Sequence, residues 1–320
     1  MPKVISCDWG TSTFRLRLVD SIRQEILGTV KSNLGISEVH ALWKQQEGDE
    51  GKRISFYQSI IQDQLNRLEE KVADSLQDLP IVVSGMASSN IGMVELPYKE
   101  LPFAVNGSDL AFKRMRPTDS LRHEVIVISG TKTANDVMRG EETQLVGCEI
   151  HSDEEQVYIF PGTHSKHITV KDQRAIDFKT FMTGEFFQLL AHQSILSKSV
   201  QADNQPLNME MLKRFEEGVA QSIQDQILHA AFLVRTNHLF GNLSIEENYH
   251  YLSGLLIGTE LKGIAGGSVP LTVVANDTMS TYYVAALKKL GHNNVKAYDV
   301  DKALVKGHCI VHELLQDSTY

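Results

Sequence analysis

Short apolar runs alternate with helix-spaced apolar positions along the chain. Runs at residues 4–7 and 14–19 predict two strands on either side of a polar turn. Apolar residues spaced by three and four positions from 56 to 76 predict a helix. The run at 79–83 predicts a short buried strand that leads into a loop rich in serine.

The same alternation continues through the second half of the chain. It predicts strands at 123–129, 157–160, 168–170, 271–275 and 295–298, and helices at about 136–149, 183–198, 215–240, 249–264 and 278–290. The polar stretches 46–52 and 199–208 lack periodicity and are expected to be the least ordered. Strands and helices that alternate in this way indicate an α/β fold.

Composition narrows the class of protein. The chain has 320 residues, enough for two domains, with 42% apolar and 22% charged residues, as in globular proteins. A formal charge of −9 argues against binding to nucleic acid or to anionic membranes. There is no signal peptide, and no apolar window approaches the roughly 18 residues of a membrane span. Three cysteines without a CxxC pair fit the reducing cytoplasm better than a disulfide framework or a zinc site.

The turn after the first predicted strand carries the first candidate chemistry. In the stretch CDWGTSTFRLRL, Asp8 precedes a turn made of Gly10, Thr11, Ser12 and Thr13. Hairpin turns use these residue types for conformational reasons alone. Alternatively, successive backbone amides form a nest for a polyanion, and the neighbouring carboxylate holds its divalent cation. The stretch by itself leaves both interpretations open.

A similar turn opens the second half of the chain. In PGTHSK (161–166), a Gly-Thr pair again follows an apolar strand, a hydroxyl residue follows the pair, and alternating apolar residues come next. Two such units predict duplicated halves that face each other across a cleft. The corresponding domains are 1–150 and 151–320.

Five segments together resemble one enzyme family. They are DWGTS (8–12), GMASSNIG (85–92), VMRGEETQL (137–145), PGTHSK (161–166) and LSGLLIG (252–258). In this order they resemble the 2-dehydro-3-deoxygalactonokinases, sugar-acid kinases of the actin/hexokinase/heat-shock-chaperone ATPase superfamily. The segment MRGEETQ is the most specific, and the resemblance covers nearly the whole chain.

The resemblance implies a fold and a reaction. The fold would be α/β, with two ribonuclease-H-like lobes of the actin/hexokinase type around a nucleotide cleft. The first lobe would carry one phosphate hairpin and the acceptor-binding loops. The second would carry the other hairpin and the adenosine site, with the last helix packed back on the first lobe. The reaction would transfer the γ-phosphate of ATP to the 6-hydroxyl of 2-dehydro-3-deoxy-D-galactonate in D-galactonate catabolism.

The nucleotide and Mg²⁺ roles follow from this resemblance. Asp8 would hold Mg²⁺ through water, whereas the structural alternative is that it caps its own turn. Lys166 would contact a phosphate or lie solvated on its hairpin. Asn276 stands where the family has a glycine against the adenosine. Asp277 would contact the ribose or cap the helix that begins at Thr278, and the cap is the preferred interpretation. Backbone amides would cradle the phosphates at Gly10, Thr11, Ser12, Thr13, Gly162, Thr163, His164 and Ser165.

The proton acceptor and the acceptor-binding residues remain less defined. Candidate bases are Glu141 and Glu142, and Asp136 ranks third after this pair. Two acids at a helix start also stabilise the helix dipole, which is the structural alternative. Arg139 can hold the substrate carboxylate, or it lies on a helix surface. Further candidates for binding the sugar acid are Met86, Ser88, Ser89 and Asn90, where a strand meets a loop, and Thr183, Gly184 and Glu185, which also suit a helix cap.

Two other functions are compatible with the same superfamily. One is a phosphohydrolase, in which water replaces the sugar hydroxyl, and the other is a non-catalytic nucleotide-driven switch. The expected partner is a small sugar acid, and a homodimer is possible. The sequence does not separate a galactonate-derived from a gluconate-derived substrate.

Overall fold

The computed structural model describes residues 2–46, 48–150, 152–202 and 206–317. Within these ranges the strands are β1 Lys3–Trp9, β2 Phe14–Asp20, β3 Glu25–Ser32, β4 Ile81–Gly85, β5 Lys99–Glu100, β6 Phe103–Ala104, β7 Phe112–Met115, β8 Val125–Ile128, β9 Thr131–Lys132, β10 Val137–Met138, β11 Gln156–Phe160, β12 Ser165–Lys171, β13 Arg174–Phe181, β14 Leu271–Ala275 and β15 Val295–Asp299. The α-helices are α1 Ile36–Gln45, α2 Arg53–Val72, α3 Glu141–Val146, α4 Thr183–Gln193, α5 Met209–Gln224, α6 Ile227–Leu239, α7 Ile245–Leu261, α8 Asp277–Lys289 and α9 Val300–Asp317.

The chain divides into two compact units. Unit 1 contains the residues up to Asp153, Asp172–Asp177 and the residues from Asp301 onward, so it includes nearly all of α9. Unit 2 contains Glu154–Lys171 and Phe178–Val300. No helix of the described ranges is both long enough and apolar enough to cross a membrane.

The main sheet of unit 1 has the order β3-β2-β1-β4-β8-β7. β1 is antiparallel to β2 and parallel to β4, and β4 is parallel to β8. Because side chains alternate along a strand, one face of this sheet is apolar and forms a core cluster with residues of α1 and α2. The other face carries polar side chains, including Ser6, Arg17 and Ser84, and each of these bonds to a residue of α9.

In unit 2 the strands follow the order β15-β14-β11-β12-β13, where β13 belongs to unit 2 from Phe178 onward; the six-stranded sheet that contains them ends with β6. β11 is antiparallel to β12 and parallel to β14, which is parallel to β15. This order repeats β8-β4-β1-β2-β3 of unit 1, so both predicted turns follow a strand in the same topological position. Its apolar face forms a core cluster with residues of α5, α7 and α8, including Phe215, Leu261 and Tyr283.

Three predicted helices differ from the structure. In place of a helix at 136–149, residues 137 and 138 form β10, and only Glu141–Val146 are helical, because Gly140 takes a φ of 115°. The helix predicted at 215–240 is divided into α5 and α6, since Asp225 is extended. The helix predicted at 183–198 ends at Gln193, and a 3-10 helix follows.

The two stretches that were expected to be poorly ordered, 46–52 and 199–208, are described only in part. Residue 47 and residues 203–205 lie outside the described ranges. Residues Glu50–Lys52 form a 3-10 helix, whose first turn is capped by the side chain of Asp49.

Candidate active site

The turn between β1 and β2 is a tight hairpin braced by the start of α1. The amide of Gly10 donates to the carbonyl of Thr13 over 2.9 Å. The amides of Ile36 and Ser37 donate to the carbonyls of Gly10 and Thr11 over 2.9 and 3.1 Å. The side chains of Thr11 and Ser12 are exposed. The turn therefore has a fixed backbone and presents its hydroxyl groups to solvent.

Asp8 lies one residue before the end of β1, beside two arginines of β2. Its Oδ2 accepts a hydrogen bond from Nη1 of Arg15 over 3.0 Å. Burial raises the pKa of Asp8, and the positive charges of Arg15 and Arg17 act in the opposite direction. A desolvated carboxylate of this kind is stabilised by a further nearby cation.

The surroundings of Asp8 are compatible with the binding of Mg²⁺. No group of three or more His, Cys, Asp or Glu residues that could hold a metal occurs among the described residues. Mg²⁺ commonly uses one or two carboxylates together with water and phosphate oxygens, and it does not need a protein cage. A single partly buried carboxylate next to an exposed turn is consistent with that mode of binding.

His308 of α9 connects the two strands that carry the site. Its Nδ1 lies 2.7 Å from Oγ of Ser6 on β1, and its Nε2 lies 2.9 Å from Oγ of Ser84 on β4. Burial lowers the pKa of His308 to about 3, and the charge of Arg17 acts in the same direction. The ring is therefore neutral near pH 7, and it fixes β1 against β4 just before the turn and loop that follow them.

Arg139 lies in the connection between β10 and α3 and not on a helix surface. Its Nη1 donates to the carbonyl of Ser88 over 2.7 Å and also to Oγ of the same residue. Its guanidinium carbon lies 4.3 Å from the ring centre of Tyr98. These contacts hold the cation at the loop that follows β4. Gly140 also lies at the end of β4, because a Cβ on it would be 3.6 Å from Cα of Gly85.

The remaining residues of the loop after β4 differ in exposure. Ser88 and Ser89 are buried, Met86 is partly buried and Asn90 is exposed. Oγ of Ser89 donates to the carbonyl of Met86 over 2.7 Å, which fixes the short 3-10 turn at the start of the loop.

The three candidate bases occupy different environments. Glu142 is fully buried, and both of its carboxylate oxygens accept from the amide of Gly140, over 2.9 and 2.8 Å. Burial and the charge of Glu141 raise the pKa of Glu142 to about 7. Glu141 is partly exposed and accepts from the amide of Arg139 over 3.2 Å. Asp136 is partly exposed and accepts from the amide of Val137.

In unit 2, the turn between β11 and β12 packs against the start of α4. A Cβ on Gly184 would lie only 2.6 Å from the carbonyl oxygen of Gly162, so this approach requires glycine. The amide of Glu185 donates to the carbonyl of Thr163 over 3.1 Å. Nε2 of His164 lies 2.6 Å from Oε2 of Glu185. The predicted residues 183–185 thus lie directly against the second turn.

Glu260, a buried carboxylate that the sequence did not predict as part of the site, connects the second turn with α4 and α8. Glu260 of α7 accepts hydrogen bonds from Oγ of Ser165 over 2.7 Å and from Oη of Tyr283 over 2.8 Å. Oγ1 of Thr183 also donates to it, and Nε2 of His167 lies 2.8 Å away. The signal in the sequence is a single acid in an otherwise apolar part of α7, because a buried carboxylate requires partners.

Ser165 and Lys166 face inward. Ser165 is fully buried, and besides its bond to Glu260 its Oγ lies 3.3 Å from the carbonyl of Phe160. Lys166 is also buried, and its Nζ donates to the carbonyl of His164 over 2.8 Å. In this structure, the side chains of both residues support the turn from within.

A pocket of about 270 Å³ opens beside the second turn. One end is formed by Gly162, Thr163, Thr183 and Gly184, and its walls include Phe187, Tyr249, Leu256, Met279 and Tyr282. The start of α8 is fixed by Asn276, whose side chain accepts from the amide of Met279 over 3.0 Å. Asn276 is therefore the helix cap, and the assignment of this role to Asp277 was wrong by one residue.

Comparison with known proteins identifies the family. The sequence model of the 2-keto-3-deoxy-galactonokinase family matches residues 8–311. The chain belongs to this family. A probable 2-dehydro-3-deoxygalactonokinase from Rhizobium meliloti is 31% identical over 314 residues, covering 94% of this chain and 93% of the relative. The 2-dehydro-3-deoxygalactonokinase from Escherichia coli is 32% identical over 222 residues, or 66% of this chain and 71% of that protein.

Solved structures confirm the predicted fold. A Sinorhizobium meliloti protein assigned as a 2-dehydro-3-deoxygalactonokinase aligns with a TM-score of 0.79 and 27% identity, over 98% of this chain and 96% of its own. The activator of the 2-hydroxyisocaproyl-CoA dehydratase from Clostridium difficile, solved with ADPNP, aligns with a TM-score of 0.51 and 14% identity over 99% and 97% of the two chains. The fold of this chain is α/β, of the actin/hexokinase type.

Proposed function

We propose that this family member is an ATP-dependent kinase that phosphorylates the 6-hydroxyl of 2-dehydro-3-deoxy-D-galactonate. The proposal rests on the conformation of MRGEETQ (138–144), the most specific motif of the family resemblance. Residues 139–142 bring an anchored arginine and two carboxylates to the loop that follows β4. A sugar-acid acceptor needs a cation for its carboxylate and a proton acceptor for its hydroxyl.

Arg139 is the candidate clamp for the substrate carboxylate. Its contacts with Ser88 and Tyr98 fix the guanidinium in place, and a fixed guanidinium loses little freedom when it binds a carboxylate through two hydrogen bonds. Its Nε is buried without a hydrogen-bond partner among the described atoms. Met86, Ser89 and Asn90 of the adjoining loop complete the proposed acceptor site.

Glu141 and Glu142 take different roles in this proposal. Glu141 is the partly exposed member of the pair and accepts the proton of the attacking hydroxyl. Glu142 is a positioning residue, since its buried carboxylate binds the amide of Gly140 and so fixes the turn that carries Arg139 and Glu141. Phosphoryl transfer depends mainly on positioning and charge neutralisation, so correct placement of these groups matters as much as their basicity.

The nucleotide would bind through backbone groups and one pocket. The amides of 11–13 and 162–165 would hold phosphate oxygens, as successive amides in tight turns do, while the amide of Gly10 is engaged by the carbonyl of Thr13 and closes the first turn. Thr183 and Gly184 begin an eleven-residue helix against the second turn, and they are assigned here to the phosphates and not to the sugar acid. Glu185 braces the second turn instead, because its amide donates to the carbonyl of Thr163 and its carboxylate contacts His164. The aromatic pocket beside that turn would receive the adenosine, with Tyr249 and Tyr282 in its wall.

Asp8 is the residue that would hold Mg²⁺, through a bound water. When bound, the ion neutralises the charge of the phosphate oxygens. Arg15 orients the Asp8 carboxylate through its hydrogen bond to Oδ2. His308 and the strands it joins keep this carboxylate next to the first turn.

The alternative functions receive less support. A phosphohydrolase would use water as acceptor and would have no use for the anchored Arg139. A nucleotide-driven switch would need neither the arginine nor the carboxylate pair, and the family match favours the kinase over both. Three buried, unpaired cysteines suit a reducing compartment, which supports a cytoplasmic location.

The test is an assay of ADP formation coupled to a second enzyme, with and without candidate acceptors. We expect ADP formation that depends on 2-dehydro-3-deoxygalactonate, with the gluconate-derived epimer and 2-keto sugar acids lacking the 6-hydroxyl as comparators. Phosphate release without any acceptor would instead support the hydrolase. Nucleotide binding without turnover on any acceptor would support the switch.

A further inference from the structure

An apolar surface covers the outer side of one helical layer in unit 2. α4, the 3-10 helix Ile195–Lys198, α6 and α7 share a buried core cluster that includes Ala191, Leu196, Val234 and Leu252. Large apolar side chains also occupy the outward sides of the first three elements. They are Leu189, Ile195, Leu228, Phe232, Leu239 and Phe240, which are between 41% and 88% exposed, and together they are called the α4–α6 surface.

α6 forms the centre of this surface. Leu228, Phe232, Arg235 and Leu239 follow each other at intervals of four, three and four residues, so they form one stripe along the helix. The residues buried against unit 2 are Ala230 and Val234, on the opposite side. A surface helix with one buried face normally has a polar outer face. Three of the four residues in the outer stripe of α6 are apolar instead, which is typical of a helix with a second partner.

The size of the surface matches a protein interface. Side chains of this size have roughly 150–200 Å² of accessible area, so the six residues expose on the order of 650 Å². Each partner in a standard protein–protein interface buries about 800 Å². The largest apolar patch on a monomer is typically about 300–600 Å². With its immediate neighbours, the α4–α6 surface is large enough for a stable dimer.

Charge makes this surface the place where two copies of the chain can meet with the least repulsion. With a net charge of −9, two copies repel each other over most of their surfaces. None of the six residues is charged, and α6 contains no Asp or Glu. We propose that the α4–α6 surface is the interface of a homodimer with two-fold symmetry, in which the two α6 helices pack antiparallel.

The two-fold axis determines which residues meet. If the axis passes between Leu233 and Val234, close to the middle of α6, Leu228 of one copy faces Leu239 of the other, because the two lie at equal distances from that point. Phe232 then faces the half-buried Arg235 of the second copy, whose Nη1 donates to Oγ of its own Ser199 over 3.2 Å, so that an arginine meets an aromatic side chain rather than another arginine. Each contact occurs twice. The sequence of α6 is therefore complementary to itself in this register.

Sedimentation of the 320-residue chain tests the interface. We expect the wild-type protein to sediment as a dimer and Leu228→Glu as a monomer, because the new charge faces Leu239 of the other copy. Adding Leu239→Lys to Leu228→Glu should restore the dimer, since opposite charges then face each other. Ile22→Glu, at an apolar residue of unit 1 that is 71% exposed, is the matched control and should remain dimeric.

Disulfide formation tests the register with conservative variants. The native cysteines Cys7, Cys148 and Cys309 are all buried, so an introduced surface cysteine reacts alone. A mixture of Leu228→Cys and Leu239→Cys proteins should form a covalent dimer on mild oxidation, and each variant alone should form much less. A monomeric wild-type protein, or a dimer that survives Leu228→Glu and gives no cross-link in the mixture, would overturn the proposal.

Discussion

The two turns occupy equivalent positions in their sheets, yet their surroundings differ. The turn at 10–13 is next to a carboxylate whose pKa is raised, and the loop that follows β4 brings Arg139 and the Glu141–Glu142 pair to the same edge of the sheet. The turn at 162–165 rests on Glu260, a buried carboxylate with hydrogen bonds to four side chains.

This difference favours different roles for the two turns, with the chemistry at the first turn and a rigid binding surface at the second. Partly exposed charges near the first turn are suited to proton transfer, cation binding and acceptor binding. A saturated buried network below the second turn is suited to holding a fixed shape, because its groups have no capacity left for a reaction. Substitutions in unit 1 should therefore mainly lower kcat, and those in unit 2 should mainly raise the KM for ATP.

Replacing Glu141 tests the chemical side of the comparison most directly. Glu141→Gln keeps the size of the side chain but removes the proton acceptor. We expect kcat to fall by about 10²–10³-fold, within the range that a positioned base contributes, with little change in the KM for ATP. The measurement is steady-state ADP formation with the sugar acid saturating.

Asp136→Asn is the matched control for Glu141→Gln. Asp136 precedes the motif, and its Oδ1 accepts a bond from the amide of Val137, so we expect its variant to retain most of the activity. If Asp136→Asn lost activity and Glu141→Gln did not, the assignment of the base would be wrong.

Replacing Asp8 tests the proposed Mg²⁺ site. Asp8→Asn removes the charge and keeps the shape, so we expect turnover at ordinary Mg²⁺ to fall by about 10–100-fold and to recover partly at high Mg²⁺. Glu38→Gln removes an exposed acid from the first turn of α1, close to the same hairpin, and serves as control. Unchanged activity of Asp8→Asn across a Mg²⁺ titration would falsify the metal role.

The sequence predicts the repeated elements well, because local patterns determine them. Apolar runs and turn residues locate β1, β2, β11 and β14, and the matching Gly-Thr turns reveal the repeat. The family and the kinase activity were also predicted, and the comparisons confirm both. Two helix predictions from periodicity were wrong because of the backbone conformation at one residue each. Gly140 at a positive φ shortens the predicted helix to α3, and extended Asp225 separates α5 from α6.

The supporting networks were not predicted, because their members are far apart in the chain. Ser165 and Glu260 are separated by 95 positions, and Ser6 and His308 by 302. No periodicity links such pairs, and only the packed fold brings them together. The direction of Arg139 depends in the same way on Ser88, which lies 51 positions earlier.

Replacing Glu260 tests the binding side of the comparison. Glu260→Gln keeps two polar atoms but cannot accept bonds from all four partners, so the second turn should become less fixed. We expect the KM for ATP to rise about tenfold, which corresponds to about 1.4 kcal/mol, with kcat changed much less. Glu216→Gln on α5 removes an acid from the same unit and should have no effect. A loss of kcat at unchanged KM would contradict the proposed roles of the two turns.

Replacing Glu142 should have the smallest effect on turnover at low pH, where the wild-type carboxylate is also uncharged, and a clear effect on pH dependence. Its pKa is raised to about 7, so in the wild-type protein the carboxylate gains its charge as the pH rises through 7. The charged form is the stronger acceptor for the amide of Gly140 and so fixes the turn that carries Arg139 and Glu141, which is why kcat/KM should rise over this range. Glu142→Gln stays neutral at every pH, and its kcat/KM should lack this rise.

A raised pKa of Glu142 in the folded state also means that the stability contributed by this group is fully present below about pH 4.5 and is lost as the pH rises through 7. The free energy of unfolding should therefore fall less between pH 5 and 8 in Glu142→Gln than in the wild type, and an equal fall in both proteins would show that Glu142 titrates normally.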